Sequence, residues 1–419
     1  MEKLIIDGGY KLSGETAVQG AKNSALPILA ATVLIKGECI IHNCPMLTDI
    51  DAAIKILEYL GCKVQREAHT VTVDARNVSR YDIPEKLMRE MRSSIIFLAP
   101  LLARCGEAEL YTPGGCEIGL RPIDLHLYAL RKMGVNIEEE HGKLICKCDK
   151  SLKGEVINLS FPSVGATENV IIAASLAKGT TIITNAAREP EIIDLANFLV
   201  SCGADIKGAG ESTIIINGKE KLYPTEHTVI PDRIMQATYL SAAAITGSDI
   251  TLSKSDPMLI ASVIPLFEAA GCRIKTEKHK ISIYSPVRLS GIPTVRTMPY
   301  PGFPTDAQAP IMAMTTIADS TSIFVENIFE SRFKHVSELN VMGAKIKVEG
   351  RVAIVEGVEK LSGASVKAPD LRGGAALVIA ALAAEGRTKI SGVSHIDRGC
   401  EKFEDNLRML GAVISRKDE

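Results

Sequence analysis

Hydrophobic and polar positions along the chain sort its helical segments into two alternating kinds. The first carries a single apolar stripe and opens on an acidic residue, as in Asp51–Leu60 and Glu401–Leu410. The second is small and apolar nearly all round, as in Ile171–Ala177 and Ala375–Ala384, and such a helix must be buried on most sides. Each helix of the first kind runs into a glycine and then a strand: Gly61, Gly134, Gly203, Gly271, Gly343 and Gly411, which lie 73, 69, 68, 72 and 68 residues apart. Each helix of the second kind ends at a turn, at Gly37, Gly106, Gly179, Gly247, Ser320 and Gly386, spaced by 69, 73, 68, 73 and 66 residues. Two interleaved series thus share one period of about 70 residues, too long for the common solenoids. The pattern predicts six similar units, each with a helix inside, a helix at the rim and strands covering them. That is an inside-out, barrel-like α/β arrangement in two domains of three units each.

Composition narrows the function. The 419 residues include 46% hydrophobic and 23% charged positions, the balance of a folded globular protein. A net charge of −2, no Trp and 4% aromatics argue against general nucleic-acid binding, which wants a basic surface and stacking rings. The start, Met1-Glu-Lys-Leu, lacks a signal-peptide layout, and the apolar runs at 93–103 and 373–384 are too short to span a bilayer. Ten scattered cysteines without a Cys-x-x-Cys pair predict free thiols in a reducing cytoplasm and no metal cluster.

Candidate chemistry sits where the repeat is interrupted. Pro113-Gly114-Gly115 demands a turn, and Cys116 follows it, with Arg121 and Asp124 just ahead of a helix. Cys116 is either a reactive thiol, favoured by the nearby cation, or a small residue beneath a loop. Lys22, in Gly20-Ala21-Lys22-Asn23-Ser24, opens an apolar helix and either holds a phosphate at the helix entrance or is simply solvated. Arg92 opens another apolar run, as a helix-end residue or a ligand reader. Asp306, after Phe303-Pro304-Thr305, is a helix cap or a general base. Arg332, Arg372 and Arg398 recur near helix entrances and together suggest the handling of anions.

Taken together, these motifs are specific. Pro113 to His126, with Ser163-Val164-Gly165-Ala166-Thr167, Asn185 to Glu191, and His395-Ile396-Asp397-Arg398, resembles the UDP-N-acetylglucosamine 1-carboxyvinyltransferases in order along the whole chain. The resemblance implies two inside-out α/β domains, residues 22–229 and residues 1–21 plus 230–419, with the active site in the cleft between them. It implies transfer of the enolpyruvyl group of phosphoenolpyruvate to the 3′-hydroxyl of UDP-N-acetylglucosamine (UDP-GlcNAc) in the cytoplasm. Phosphate is released, in the first committed step of peptidoglycan synthesis. Lys22, Asn23, Arg121 and Arg398 are then expected at phosphoenolpyruvate, with Cys116 as proton donor and site of a covalent adduct, and Asp306 as base at the sugar hydroxyl. Arg92, Arg121, Pro122, Ile123, Asp124, Leu125, Ser163, Val164, Gly165, Asp306 and Ile328 are expected to read UDP-GlcNAc. No cofactor or metal is implied, and neither nucleic acid nor membrane is a partner. Cys116 stands where some relatives carry Asp, which implies alkylation by the epoxide fosfomycin. Two other readings remain: a 5-enolpyruvylshikimate-3-phosphate synthase-like transferase, against which the Cys loop argues, and a non-catalytic sugar-nucleotide-binding paralogue.

Overall fold

Gly61, Gly134, Gly203, Gly271, Gly343 and Gly411 all take left-handed backbone conformations, with φ between 92° and 104°. Each follows one of six rim helices: Thr48–Tyr59, Asp124–Lys132, Pro190–Ser201, Ile264–Ala269, Val336–Val341 and Phe403–Met409. A side chain there would strain the backbone, so the spacing in the sequence records a conformational requirement. The computed structural model of the chain describes residues 2–91, 93–112, 123–149 and 151–418. Two helix starts differ from the sequence reading. The first rim helix opens at Thr48, with Asp49 and Asp51 inside its first turn. The last opens at Phe403, because Lys402 ahead of it is left-handed at φ 44°.

The small apolar segments are the inner helices: Lys22–Ala31, Leu98–Cys105, Val164–Ala174, Arg233–Ile245, Thr305–Thr315 and Leu371–Ala383. Every residue of Arg233–Ile245 is buried, and so is nearly all of Leu371–Ala383. Their small side chains let the backbones approach. At Gly374, an added Cβ would stand 2.7 Å from Ile396 Cγ1 and 3.0 Å from Ala368 Cβ.

The chain divides into two units, exchanging between Gln19 and Gly20 and again between Ile230 and Pro231. In one, the inner helices Arg233–Ile245, Thr305–Thr315 and Leu371–Ala383 pack on one another. In the other, Leu98–Cys105 packs on Val164–Ala174, while Lys22–Ala31 packs on the rim helices Thr48–Tyr59 and Pro190–Ser201. Each unit has its own apolar core.

Six separate sheets cover these helices, five of four strands and one of three among the described residues. The topology repeats: a short edge strand runs parallel to the second strand, and an antiparallel hairpin completes the sheet, as in Val156–Asn158, Thr180–Thr184, Thr213–Asn217 and Asp205–Lys207. The inside-out α/β class is as expected from the sequence. The barrel-like enclosure is made by separate sheets and not by one closed hydrogen-bonded ladder. The two ends of the repeat array are closed by exchange. Glu226–Thr228 runs parallel to Glu38–His42 and completes the first sheet of its unit. Glu2–Asp7 inserts between Arg387–Ser391 and Val413–Asp418, with Leu4 and Ile6 fully buried, and Ser13–Ala17 runs parallel to Asp249–Ser253.

Candidate functional site

The entrance to the inner helix Lys22–Ala31 is built by close backbone packing. Gly20 lies so near the Asn43 carbonyl that a Cβ would be 1.7 Å from its oxygen. The Ala21 N–H donates to Ile230 O at 2.8 Å, and Asn43 Nδ2 donates to Val229 O at 2.8 Å. Lys22 is buried, not solvated, and its Nζ reaches Asp49 Oδ2 at 3.1 Å. Asn23 on the same turn is exposed. Ser24, fully buried, donates to Asp194, whose carboxylate also takes the Ile230 N–H at 3.2 Å and His227 Nε2 at 2.9 Å. Here the carboxylate stands between serine and imidazole, so His227 is not placed to take the serine proton. The arrangement is an anchor for the segment that presents Lys22.

In the same unit, the segments at 123–126 and 163–167 come together. Asp124 begins a rim helix and is exposed, with Ile123 and Leu125 half-buried beside it. Ser163 caps the inner helix Val164–Ala174, its hydroxyl accepting from Ala166 N at 3.4 Å, and Ser163, Val164 and Gly165 are half-buried. A Cβ on Gly165 would lie 2.7 Å from His126 Nε2. Burial pushes the His126 pKa down to about 4, so the ring is neutral near pH 7. Thr167 Oγ1 accepts from Ala187 N at 3.0 Å and ties in the Asn185–Glu191 motif. Next to it, burial first, and the charges of Glu191 and Glu189 second, raise the Glu168 carboxyl well above the usual range. Neither Glu168 nor the Ser24 anchor stood out in the sequence. The only signal was the string Glu189-Pro190-Glu191.

In the other unit, Asp306 lies in the first turn of Thr305–Thr315, whose N-cap is Pro304. No side chain caps that helix, so the cap reading of Asp306 falls. Its carboxylate is instead held by two guanidinium groups, Arg332 Nη2 on Oδ1 at 2.7 Å and Arg372 Nη2 on Oδ2 at 2.8 Å. Both arginine side chains are nearly inaccessible, 3% and 4%, whereas Asp306 keeps 26%. Burial works against the charge on Arg372, but the carboxylates of Asp306 and Asp232 outweigh it and its pKa is raised. Arg332 and Arg372, read from the sequence as handlers of external anions, thus spend Nη2 contacts on an internal carboxylate. The cause is distance along the chain: Asp306 is 26 and 66 residues from its partners.

Arg398 is half-buried in the turn after Val393–Ile396, and its neighbour Asp397 is taken by Arg416 at 2.7 Å. Ile328 is half-buried, and its N–H donates to the buried Glu326 at 2.8 Å. Arg92, Cys116, Arg121 and Pro122 lie outside the described residues. Among the described residues, nine cysteines are free thiols, no cluster of three or more His, Cys, Asp or Glu stands ready for a metal ion, and no helix is long and apolar enough to cross a membrane.

The chain matches a family model described as EPSP synthase (3-phosphoshikimate 1-carboxyvinyltransferase) over residues 6–407. It is 53% identical to UDP-N-acetylglucosamine 1-carboxyvinyltransferase 2 of Caldanaerobacter subterraneus subsp. tengcongensis, over 99% of this chain and 100% of that protein. It is 48% identical to UDP-N-acetylglucosamine 1-carboxyvinyltransferase of Geotalea uraniireducens, over 100% of both chains. The crystal structure of the enolpyruvyl transferase NikO from Streptomyces tendae superposes with a TM-score of 0.90 at 25% identity, covering 99% of each chain. An EPSP synthase from Acinetobacter baumannii shares the fold, with a TM-score of 0.75 at 19% identity over 100% of both chains. With relatives this similar from end to end, the chain belongs to the enolpyruvyl transferases, and among them to the UDP-N-acetylglucosamine 1-carboxyvinyltransferase family.

Proposed function

We propose that the chain transfers the enolpyruvyl group of phosphoenolpyruvate to the 3′-hydroxyl of UDP-GlcNAc and releases phosphate. The observation that carries this reading is the end-to-end likeness, at 48–53% identity, to relatives of that name. The sugar oxygen bonds to C2 of phosphoenolpyruvate while C3 gains a proton, giving a tetrahedral adduct. Loss of a proton from C3 and of phosphate from C2 then restores the double bond.

The residues supply the charge chemistry these steps need. Phosphoenolpyruvate and the nucleotide diphosphate are strongly anionic, and a chain of net charge −2 must concentrate its cations locally. In this reading Lys22, Arg121 and Arg398 hold phosphoenolpyruvate, with Asn23 hydrogen-bonding the reacting groups. Arg92, Arg121 to Leu125, Ser163 to Gly165 and Ile328 read the nucleotide. Cys116 delivers the proton to C3, since a thiol of ordinary pKa near 8.5 is largely protonated at pH 7. Asp306 takes the proton of the 3′-hydroxyl. Its two guanidinium partners fix the orientation of its carboxylate. The reaction uses no cofactor and serves peptidoglycan synthesis in the cytoplasm.

Phosphate release decides the reading. Turnover with UDP-GlcNAc and phosphoenolpyruvate is the expected result. Turnover with shikimate 3-phosphate alone would reassign the acceptor, and tight UDP-GlcNAc binding without turnover would make the chain a sensor. Cys116→Ala should nearly abolish turnover and leave UDP-GlcNAc affinity close to the parent's. Fosfomycin should add its mass to Cys116, faster when UDP-GlcNAc is present.

A further inference from the structure

We propose that Glu326 is a positioning residue that couples the Ile328 segment to the helix entrance bearing Asp306; the inference rests on the function proposed above. Glu326 is 1% exposed at the end of the strand Ser322–Val325, and four donors converge on its carboxylate. Oε1 accepts from Thr297 Oγ1 at 2.8 Å, from Ile328 N at 2.8 Å and from Phe329 N at 3.0 Å. Oε2 accepts from Thr305 Oγ1 at 3.0 Å. Three donors share Oε1 and one takes Oε2, so the turn side of the carboxylate is the more heavily tied.

The geometry sets the division of labour. Through Oε1 the carboxylate folds residues 327–329 into a tight turn, supported by Asn327 N donating to Thr297 Oγ1 at 2.8 Å and Asn327 Nδ2 to Thr297 O at 3.1 Å. Through Oε2 it grips Thr305, the residue immediately before Asp306. The Thr305 carbonyl in turn accepts from Arg332 Nη2 at 3.3 Å, the same nitrogen that holds Asp306. One side chain therefore sets the spacing between the base and the backbone expected to read the nucleotide. Glu326 itself touches no substrate in this account.

The two grips can be cut separately. Thr305→Val removes the Oε2 link and leaves the turn tied, so kcat should fall about tenfold while the Kd for UDP-GlcNAc stays within about twofold. Glu326→Ala cuts both, so kcat should fall and the UDP-GlcNAc Kd should rise, each by about tenfold or more. Glu326→Gln should recover part of both losses. Its oxygen can keep the three Oε1 donors, and the Thr305 hydroxyl can rotate to accept from the new NH2. Rates are taken per folded molecule, from circular dichroism melts of each variant, and Thr305→Val decides the matter if Glu326→Ala does not fold. Parent-like kcat in Thr305→Val, or a Glu326→Ala loss accounted for entirely by unfolded protein, overturns the inference. If the parent protein shows no turnover, the proposed function falls, and the UDP-GlcNAc Kd of Glu326→Ala still judges the link to the Ile328 turn.

Discussion

Gly20→Ala is the smallest change that should disturb the Lys22 site. Gly20 is not in a left-handed conformation, so the cost is contact and not dihedral strain. The new methyl would stand 1.7 Å from the Asn43 carbonyl oxygen, where a normal carbon–oxygen contact is about 3.3 Å. The two backbone segments must therefore separate by about 1.6 Å. Neither side can yield freely. Asn43 is held in a left-handed conformation at φ 54° with its amide on Val229 O, and Ala21 N is bound to Ile230 O. Breaking both hydrogen bonds and leaving buried groups unpaired should cost about 3–5 kcal/mol. Lys22, proposed above to hold phosphoenolpyruvate, is only two residues on, and in that role a displacement of about 1 Å can cost about a hundredfold in rate. Urea unfolding and the kcat/KM for phosphoenolpyruvate read the two effects. Asn43→Gly is the control: it loses the side-chain bond, suits the positive φ, and should cost only about 1 kcal/mol. If Gly20→Ala unfolded at the parent midpoint with parent kcat/KM, the packing argument and the placement of Lys22 built on it would both be wrong.

Two further outcomes test the other unit. A double-mutant cycle on Asp306→Asn and Arg372→Met should show Arg372→Met alone costing about 3 kcal/mol, because it leaves a carboxylate short of a buried partner, with the double variant costing less than the sum of the singles; strict additivity would mean the ion pair is not coupled. His335 is fully buried, and burial, opposed by the Asp370 charge and helped to a smaller extent by that of Arg332, brings its pKa down to about 4. The unfolded ring, at 6.5, takes up its proton first as pH falls, so the stability due to the neutral ring is present above pH 6.5 and lost on the way down to about 4. The stability of the parent relative to His335→Leu should thus drop by about 3 kcal/mol between pH 7 and pH 4, and a pH-independent difference would contradict the burial argument.

What the sequence disclosed follows the range of the interaction. The glycines after the rim helices were legible because left-handed backbone is a demand made by a few neighbouring residues. The inner helices were legible because burial on all sides leaves no polar stripe. The insertion of Glu2–Asp7 into the sheet made by residues 387–391 and 413–418 is a pairing across nearly the whole chain, and no local pattern specifies it. The same limit governed the site. Lys22 looked solvated because Asp49 is 27 residues away. Asp306 looked like a cap because a carboxylate in a first helical turn usually faces backbone N–H groups, and nothing nearby announced two guanidinium partners. Glu326 was invisible as an acidic residue at a strand end, since its meaning lies in four donors from three segments.

The repeat also explains where the informative residues fall. In each unit of the repeat the inner helix must be mostly small and apolar to be buried, and polar side chains along its length, such as Asn169 and Gln236, sit there with backbone N–H partners, whereas the helix entrance is under less constraint. There the first backbone N–H groups lack partners within the helix, and Ser163 and Asp370 accept from some of them. Four inner-helix entrances carry polar residues: Ser163 as the N-cap, Lys22 as the first helical residue, and Asp306 and Arg372 each as the second. A departure from the repeat at an inner-helix entrance is therefore a better pointer to chemistry than the same residue on a rim helix, where polar side chains are the rule. Glu168 refines the point. It lies within the inner helix Val164–Ala174, little more than one turn from the Ser163 cap, and burial, with the charges of Glu191 and Glu189, raises its pKa and so disfavours a charge in the core.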